Sequence, residues 1–92
     1  MEDLTILCDR IRLLVERRPT APADDVEHTL TDGYARALAL EGEQLRARER
    51  VHALAGSPDH VDELRALKGK LDCLDRQVAE LRGLLGALAG TL

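Results

Sequence analysis

The sequence predicts an all-α protein in which a long, coiled-coil-like antiparallel helical hairpin carries a shorter N-terminal helix. Two sequence patterns support this fold class: a leucine heptad pattern fills the C-terminal third, and a Gly-Ser-Pro-Asp segment separates it from a second helical pattern. The 92 residues also include a single aromatic side chain, Tyr34, so the core must be aliphatic, as suits helix-on-helix packing. At this length we expect residues 1–92 to form one helical domain.

The first helix is predicted to span about residues 3–17. Apolar residues alternate there at steps of three and four, the spacing of one helical face: Leu4, Leu7, Ile11 and Leu14. Three more residues widen that face so that it can contact two neighbours: Ile6, Leu13 and Val15. Pro19 predicts the end of this helix, because the residue before a proline disfavours the α conformation.

The second helix is predicted to span about residues 25–55. Asp24 and Glu27 have the spacing of a capping box at its start. Weak helix formers then cluster at Thr29, Thr31, Asp32 and Gly33, so the sequence leaves open a continuous helix or one broken near residues 30–33. The seam that follows contains one polar residue, Gln44, of a kind that often fixes the register between helices.

The third helix is predicted to span about residues 58–88, after a turn at Gly56 and Ser57. Its apolar seam repeats at steps of three and four: Leu64, Leu67, Leu71, Leu74, Val78, Leu81, Leu85, Leu88 and Leu92. Since the connection is short, the second and third helices must be antiparallel neighbours. We expect this turn to bring Leu40 near Leu71.

A helix of this length, about 45 Å, is too long for the short first helix to cover. The first helix reaches only the end of the hairpin distant from Gly56, which leaves leucines near the turn partly bare. Exposed leucines on that scale mark an interface. We therefore expect a homodimer, two hairpins forming a four-helix core with two extra helices, and these interface residues: Leu45, Leu64, Leu67, Leu71, Leu81, Leu85 and Leu88.

Composition excludes several classes of protein. A formal net charge of −4 argues against a general nucleic-acid or membrane-surface binder. No uncharged apolar stretch reaches the length of about 18 residues that a transmembrane helix needs. The N-terminus lacks the basic segment followed by an apolar run that is typical of a signal peptide, so we expect none. Cys8 and Cys73 lie far apart, so we expect reduced thiols and a cytoplasmic location.

Candidate residues for chemistry are few, and we expect no catalytic residue, metal or cofactor. Glu49 and His52 have the spacing of a di-iron carboxylate motif, but no second such pair exists in the chain. Cys8 and Cys73 each adjoin a seam position, as small packing residues do. Three arginines at alternate positions point around the helix, which predicts a mixed solvated surface: Arg46, Arg48 and Arg50.

These observations favour a non-enzymatic protein–protein interaction module, a small helical adaptor, scaffold or regulatory partner that acts through its leucine seams. Besides a second copy, an unidentified protein partner stays open. One alternative is a small-ligand-binding helical enzyme or sensor with a pocket between helices, near Gly33 and Tyr34. Another is a transcription-associated regulator with weak affinity for nucleic acid.

Overall fold

The computed structural model describes residues 2–17 and 20–90, and it confirms the all-α hairpin with a shorter N-terminal helix. The helices are α1 (Leu4–Glu16), α2 (Ala23–Leu54) and α3 (Val61–Ala89), and a single 3₁₀ turn, Pro58–His60, precedes α3. The molecule is elongated, with extents of 57 × 22 × 15 Å. Pro19 and Leu92, two residues used in the sequence predictions, lie outside the described residues.

Helix α1 begins after Asp3, whose carboxylate accepts a hydrogen bond from the backbone N–H of Thr5 at 2.8 Å. This contact satisfies one of the N–H groups that have no partner at a helix start. The inner face of α1 is buried against the hairpin through Leu7, Cys8, Ile11 and Leu14. Of the wide apolar face predicted from the sequence, this inner part contacts the hairpin, whereas Ile6 and Leu13 stay more than half exposed.

Helix α2 is continuous through the stretch of weak helix formers. Thr29 lies on its buried face, where its hydroxyl accepts hydrogen bonds from the Arg10 guanidinium at 3.2 and 3.3 Å. A Cβ at Gly33 would lie 2.3 Å from Cδ2 of Leu85, so only glycine permits this approach of α3. Contacts with other helices thus offset the poor helix propensity of these residues.

The start of α2 differs from the capping box predicted at Asp24. The helix begins at Ala23, and its cap position is Pro22, which makes no side-chain capping bond. Asp24 and Asp25 instead lie in the first turn, where carboxylates interact favourably with the positive end of the helix dipole.

The turn between α2 and α3 contains Gly56 at a φ of 89°, in the left-handed region that favours glycine. The α-helical part of α3 begins at Val61, three residues later than the sequence predicted, because Pro58–His60 form the 3₁₀ turn. This longer connection shifts the two helices along each other. Gln44 donates a hydrogen bond to Asp75. If Leu40 lay opposite Leu71, Gln44 would instead lie opposite Leu67. The predicted pairing of Leu40 with Leu71 is therefore wrong.

Helix α1 lies on one face of the hairpin and runs antiparallel to α2. Its N-terminal residues adjoin Arg36 and Gln77 near the middle of the hairpin, and its C-terminal residues adjoin Asp25 and His28 near the open end. An ion pair between Arg12 and Glu80 joins α1 to α3. The main core therefore lies where three helices meet: Leu7, Ile11, Leu14, Leu30, Ala37, Leu81, Leu85 and Leu88.

Candidate interaction surface

Coverage by α1 divides the hairpin into two parts. We call the covered part the open half (residues 23–39 and 74–89) and the rest the turn half (residues 40–54 and 61–73). In the open half Leu81, Leu85 and Leu88 have no exposed surface, and Leu74 is 4% exposed. In the turn half the same α3 seam is only half-buried, at Leu64, Leu67 and Leu71. The difference follows from the absence of a third helix over the turn half.

The predicted interface residues consequently fall into two groups. Leu81, Leu85 and Leu88 are buried inside this chain's own core, where they hold the three helices together. The other four lie in the turn half: Leu45, Leu64, Leu67 and Leu71. Leu45 is 57% exposed on α2, so it has surface to offer a partner. Only this second group is accessible to another molecule in the folded chain.

The face that carries α1 continues past the N-terminus of α1 into the turn half. Beside α1 this face forms a cavity of about 470 Å³, and the residues of α2 that line it are Asp32, Ala35, Arg36 and Ala39. A groove of about 370 Å³ follows in the turn half, and we call it the turn groove: Glu43, Arg46, Ala47, Arg50, Leu67 and Lys70. The α2 residues 32, 36, 39, 43, 46 and 50 alternate by four and three, so they share one helical face. Helix α1 thus occupies one part of a longer groove.

The turn groove has a mostly charged lining, with two apolar side chains at its base and a positively charged rim. Leu67 and Ala47 supply the floor, while Arg46, Arg50 and Lys70 supply three positive charges against the single carboxylate of Glu43. Arg50 also donates to a carboxylate of Glu63 on α3, at 2.9 Å. A surface of this composition fits an apolar stripe that has carboxylates beside it.

Polar contacts join α2 and α3 where apolar packing is thin. The side-chain amide of Gln44, 8% exposed, donates to Asp75 at 2.7 Å, and Arg48 donates to the same carboxylate oxygen at 3.1 Å. Gln44 therefore fixes the register of the hairpin within the chain. Arg82 donates to Glu41 at 2.6 Å, and this hydrogen bond holds the pKa of the Glu41 carboxyl below its usual value.

Two exposed apolar residues on the outside of α1 were not among the predicted interface residues. Ile6 and Leu13 are 57% and 56% exposed. They are seven residues apart, so they lie on one face of α1, and each precedes by one residue a leucine of the buried row. This one-residue offset could have indicated a second apolar face on α1, but the sequence does not show which of the two faces packs on the hairpin.

The space beside Gly33, where the sequence suggested a ligand pocket, is filled by Leu85. Tyr34 is covered on one side by Arg82, whose guanidinium carbon lies 5.8 Å from the ring centre. A cavity of about 470 Å³ lies instead between α1 and α2. Arg10 lines it and already binds both Glu2 and Asp32, at 2.9 and 2.8 Å, so its charge is compensated within the chain.

Residues considered for chemistry lie apart from one another. Glu49 and His52 are exposed, and within residues 2–17 and 20–90 no three His, Cys, Asp or Glu side chains are grouped to hold a metal ion. Cys8 is buried, Cys73 is exposed, and the two form no disulfide. Burial, together with the nearby Glu80 carboxylate, raises the pKa of the Cys8 thiol and so disfavours its reactive thiolate.

In the part of the chain that the structure describes, no helix combines the length and apolar character needed to cross a membrane. Comparison with protein-family models, curated proteins and solved structures finds no significant match.

Proposed function

We propose that this chain is a non-enzymatic protein–protein interaction module, and that it acts as a homodimer through the turn half of its hairpin. One observation carries the proposal. The leucines of the α3 seam are fully buried where α1 covers them and only partly buried in the turn half, where α2 alone packs on them. Helices that pack on another molecule typically have such a seam, in which the heptad spacing continues unbroken beyond the part that the same chain buries.

The surface area of the chain agrees with this proposal. The molecule exposes 6063 Å², whereas a compact monomer of 10.1 kDa is expected to expose about 5,300 Å². The excess is close to the roughly 800 Å² that each partner buries in a standard protein–protein interface. A leucine buried from full exposure contributes about 1.5–3 kcal/mol, so each partly buried leucine of the turn half contributes a fraction of this and the exposed Leu45 contributes more.

The proposed location is the cytoplasm, a reducing compartment where Cys8 and Cys73 would stay as thiols. Adaptor, scaffold and regulatory roles share this surface chemistry, so the proposal concerns the mode of action, which is burial of a leucine seam against a protein.

Sedimentation velocity of the purified chain, over a range of concentrations, tests the proposal. We expect a concentration-dependent dimer in the wild type and a monomer in Leu67→Asp, because the substitution removes an apolar side chain from the contact and adds a carboxylate that must lose its water there. Arg65→Asp is the matched control: it adds a carboxylate to an exposed position on α3 and should leave the dimer unchanged. Circular dichroism separates loss of the dimer from unfolding. A wild-type chain that stays monomeric at about 100 µM, or a folded Leu67→Asp chain that dimerises normally, would contradict the proposal.

A further inference from the structure

We infer that the outer face of α1 in one copy docks into the turn groove of a second copy, and that the second copy returns the same contact about a two-fold axis. This inference rests on the proposed homodimer and assigns it a specific pair of surfaces. The evidence lies in the apolar residues, charges, dimensions and orientation of α1 and of the groove.

Helix α1 has two apolar faces, and its own hairpin buries only one of them. The inner face holds Leu7, Ile11 and Leu14, all buried. The outer face holds Ile6 and Leu13, which are both more than half exposed. These two residues are two helical turns apart, so their side chains are separated by about 10.5 Å along the axis. They form a short apolar stripe that stays more than half exposed, with Leu13 beside Asp25 and His28 of α2.

A row of carboxylates runs beside this stripe. Asp9 and Glu16 are seven residues apart on α1 and share one helical face, and both are exposed, as is Glu2 just before the helix. Within the chain, Glu2 binds Arg10 at 2.9 Å and Asp9 binds Arg12 at 3.1 Å, and each carboxylate still faces solvent. The outer face of α1 is therefore an apolar stripe with an acidic edge.

The turn groove has the complementary properties. Its floor is apolar, and its rim carries Arg46, Arg50 and Lys70. Glu43 and Arg50, which bound the groove on α2, are also seven residues apart, or about 10.5 Å, which matches the spacing of Ile6 and Leu13. Opposite charges across a contact guide the encounter and fix its orientation.

The orientation of α1 makes the contact reciprocal. Its N-terminus lies near the middle of the hairpin, so α1 fills the groove of one half and leaves the other half empty. When two copies lie antiparallel with these faces together, each α1 meets the vacant turn groove of the other copy. The same contact then forms twice and closes the assembly, as an isologous dimer requires. The two α1 helices would form a central layer between two hairpins.

Lysine substitutions on exposed leucines and isoleucines test this arrangement, because such residues contribute little to folding of the monomer. Ile6→Lys and Leu13→Lys should each weaken dimerisation at least tenfold, as measured by sedimentation velocity, with helicity unchanged. Leu38→Lys is a matched control on α2, at a position that is 64% exposed and outside the turn groove. We expect this control to dimerise like the wild type. Leu45→Lys, in the turn half but outside the turn groove, separates the α1 contact from other contacts of the turn half.

A cross-linking experiment identifies the two surfaces directly. Leu13→Cys in one chain and Lys70→Cys in another, both carrying Cys73→Ser, are mixed and treated with a short bis-maleimide. We expect a cross-linked heterodimer from this pair, and none when Leu38→Cys replaces Leu13→Cys. The buried Cys8 is present in every chain and serves as the background.

The outcomes separate the two proposals. If the wild type dimerises, and Leu45→Lys abolishes the dimer while Leu13→Lys does not, the homodimer stands and the α1 contact is wrong. If the cross-link forms equally with Leu38→Cys, the α1 contact is also wrong. A wild-type chain that is monomeric, with its turn groove open to some other protein, overturns both the homodimer and this contact.

Discussion

The open half and the turn half of the hairpin have the same heptad pattern but different environments. In the open half, Leu81 and Leu85 are completely buried because α1 covers them. In the turn half, Leu64 and Leu67 occupy equivalent seam positions and keep part of their surface exposed. A heptad pattern therefore shows that a helix face must be covered, whereas the position of a third helix decides which part of that face is core and which part is available to a partner.

The two halves also hold their helices together by different contacts. Close packing dominates in the open half, where Gly33 lets α3 approach α2 and Leu85 fills the space. In the turn half, ion pairs and hydrogen bonds supplement a thinner apolar seam, as between Arg50 and Glu63 at 2.9 Å. The open half should accordingly provide most of the monomer's stability, and the turn half should be the more responsive to partner, pH and salt.

The largest effect is expected from truncating a leucine in the open half. Leu85→Ala removes a fully buried side chain and leaves a cavity, so it should lower the free energy of unfolding by about 2–5 kcal/mol. Leu64→Ala, at a half-buried seam position, should cost about half as much or less under conditions where the chain is monomeric. Urea unfolding followed by circular dichroism measures both. Equal losses of unfolding free energy at the two positions would mean that cover by α1 does not make the open half the more stable part of the hairpin.

Two glycine substitutions should change the stability of the folded chain in opposite directions. Gly33→Ala places a Cβ against Leu85, which is itself fully buried, and this overpacking should destabilise the protein by about 1–3 kcal/mol. Gly69→Ala, on α3 in the turn half, meets no atom within 4 Å and should stabilise the protein by about 0.5–1 kcal/mol through helix propensity. Thermal unfolding of the two variants gives the comparison. Stabilisation by Gly33→Ala would show that α2 and α3 are less closely packed in the open half than the structure indicates.

Much of this fold could be predicted from local sequence patterns. The heptads placed the helices, and Gly56 with Pro58 placed the turn, because turn chemistry depends on residues that are adjacent in the chain. The continuity of α2 could not be decided in this way. It depends on Leu85 beside Gly33 and on Arg10 beside Thr29, which are contacts between residues distant in sequence.

The candidate surface was predictable in part for the same reason. The seam leucines of the turn half follow from periodicity and from the length of α3, so Leu64 and Leu67 could be named in advance. The outer stripe of α1 and the turn groove depend on which face of the hairpin α1 occupies. They also depend on the register set by Gln44 and Asp75, which the predicted shorter turn did not give.

The smallest effect is expected from the ion pair between Glu41 in the turn half and Arg82 in the open half. Hydrogen bonding to Arg82 lowers the pKa of Glu41 below its ordinary value of 4.5, so the folded chain binds fewer protons here than the unfolded chain. The stabilisation is complete above pH 4.5 and is lost as the pH falls through the lower folded pKa. Glu41→Gln should therefore lower the melting temperature slightly near neutral pH and flatten its fall in acid, and Arg82→Gln should do the same by removing the donor. If the melting curves of both variants follow the wild type at every pH, this ion pair contributes nothing to joining the two halves, and the leucine seam with the Gln44–Asp75 hydrogen bond holds them in register.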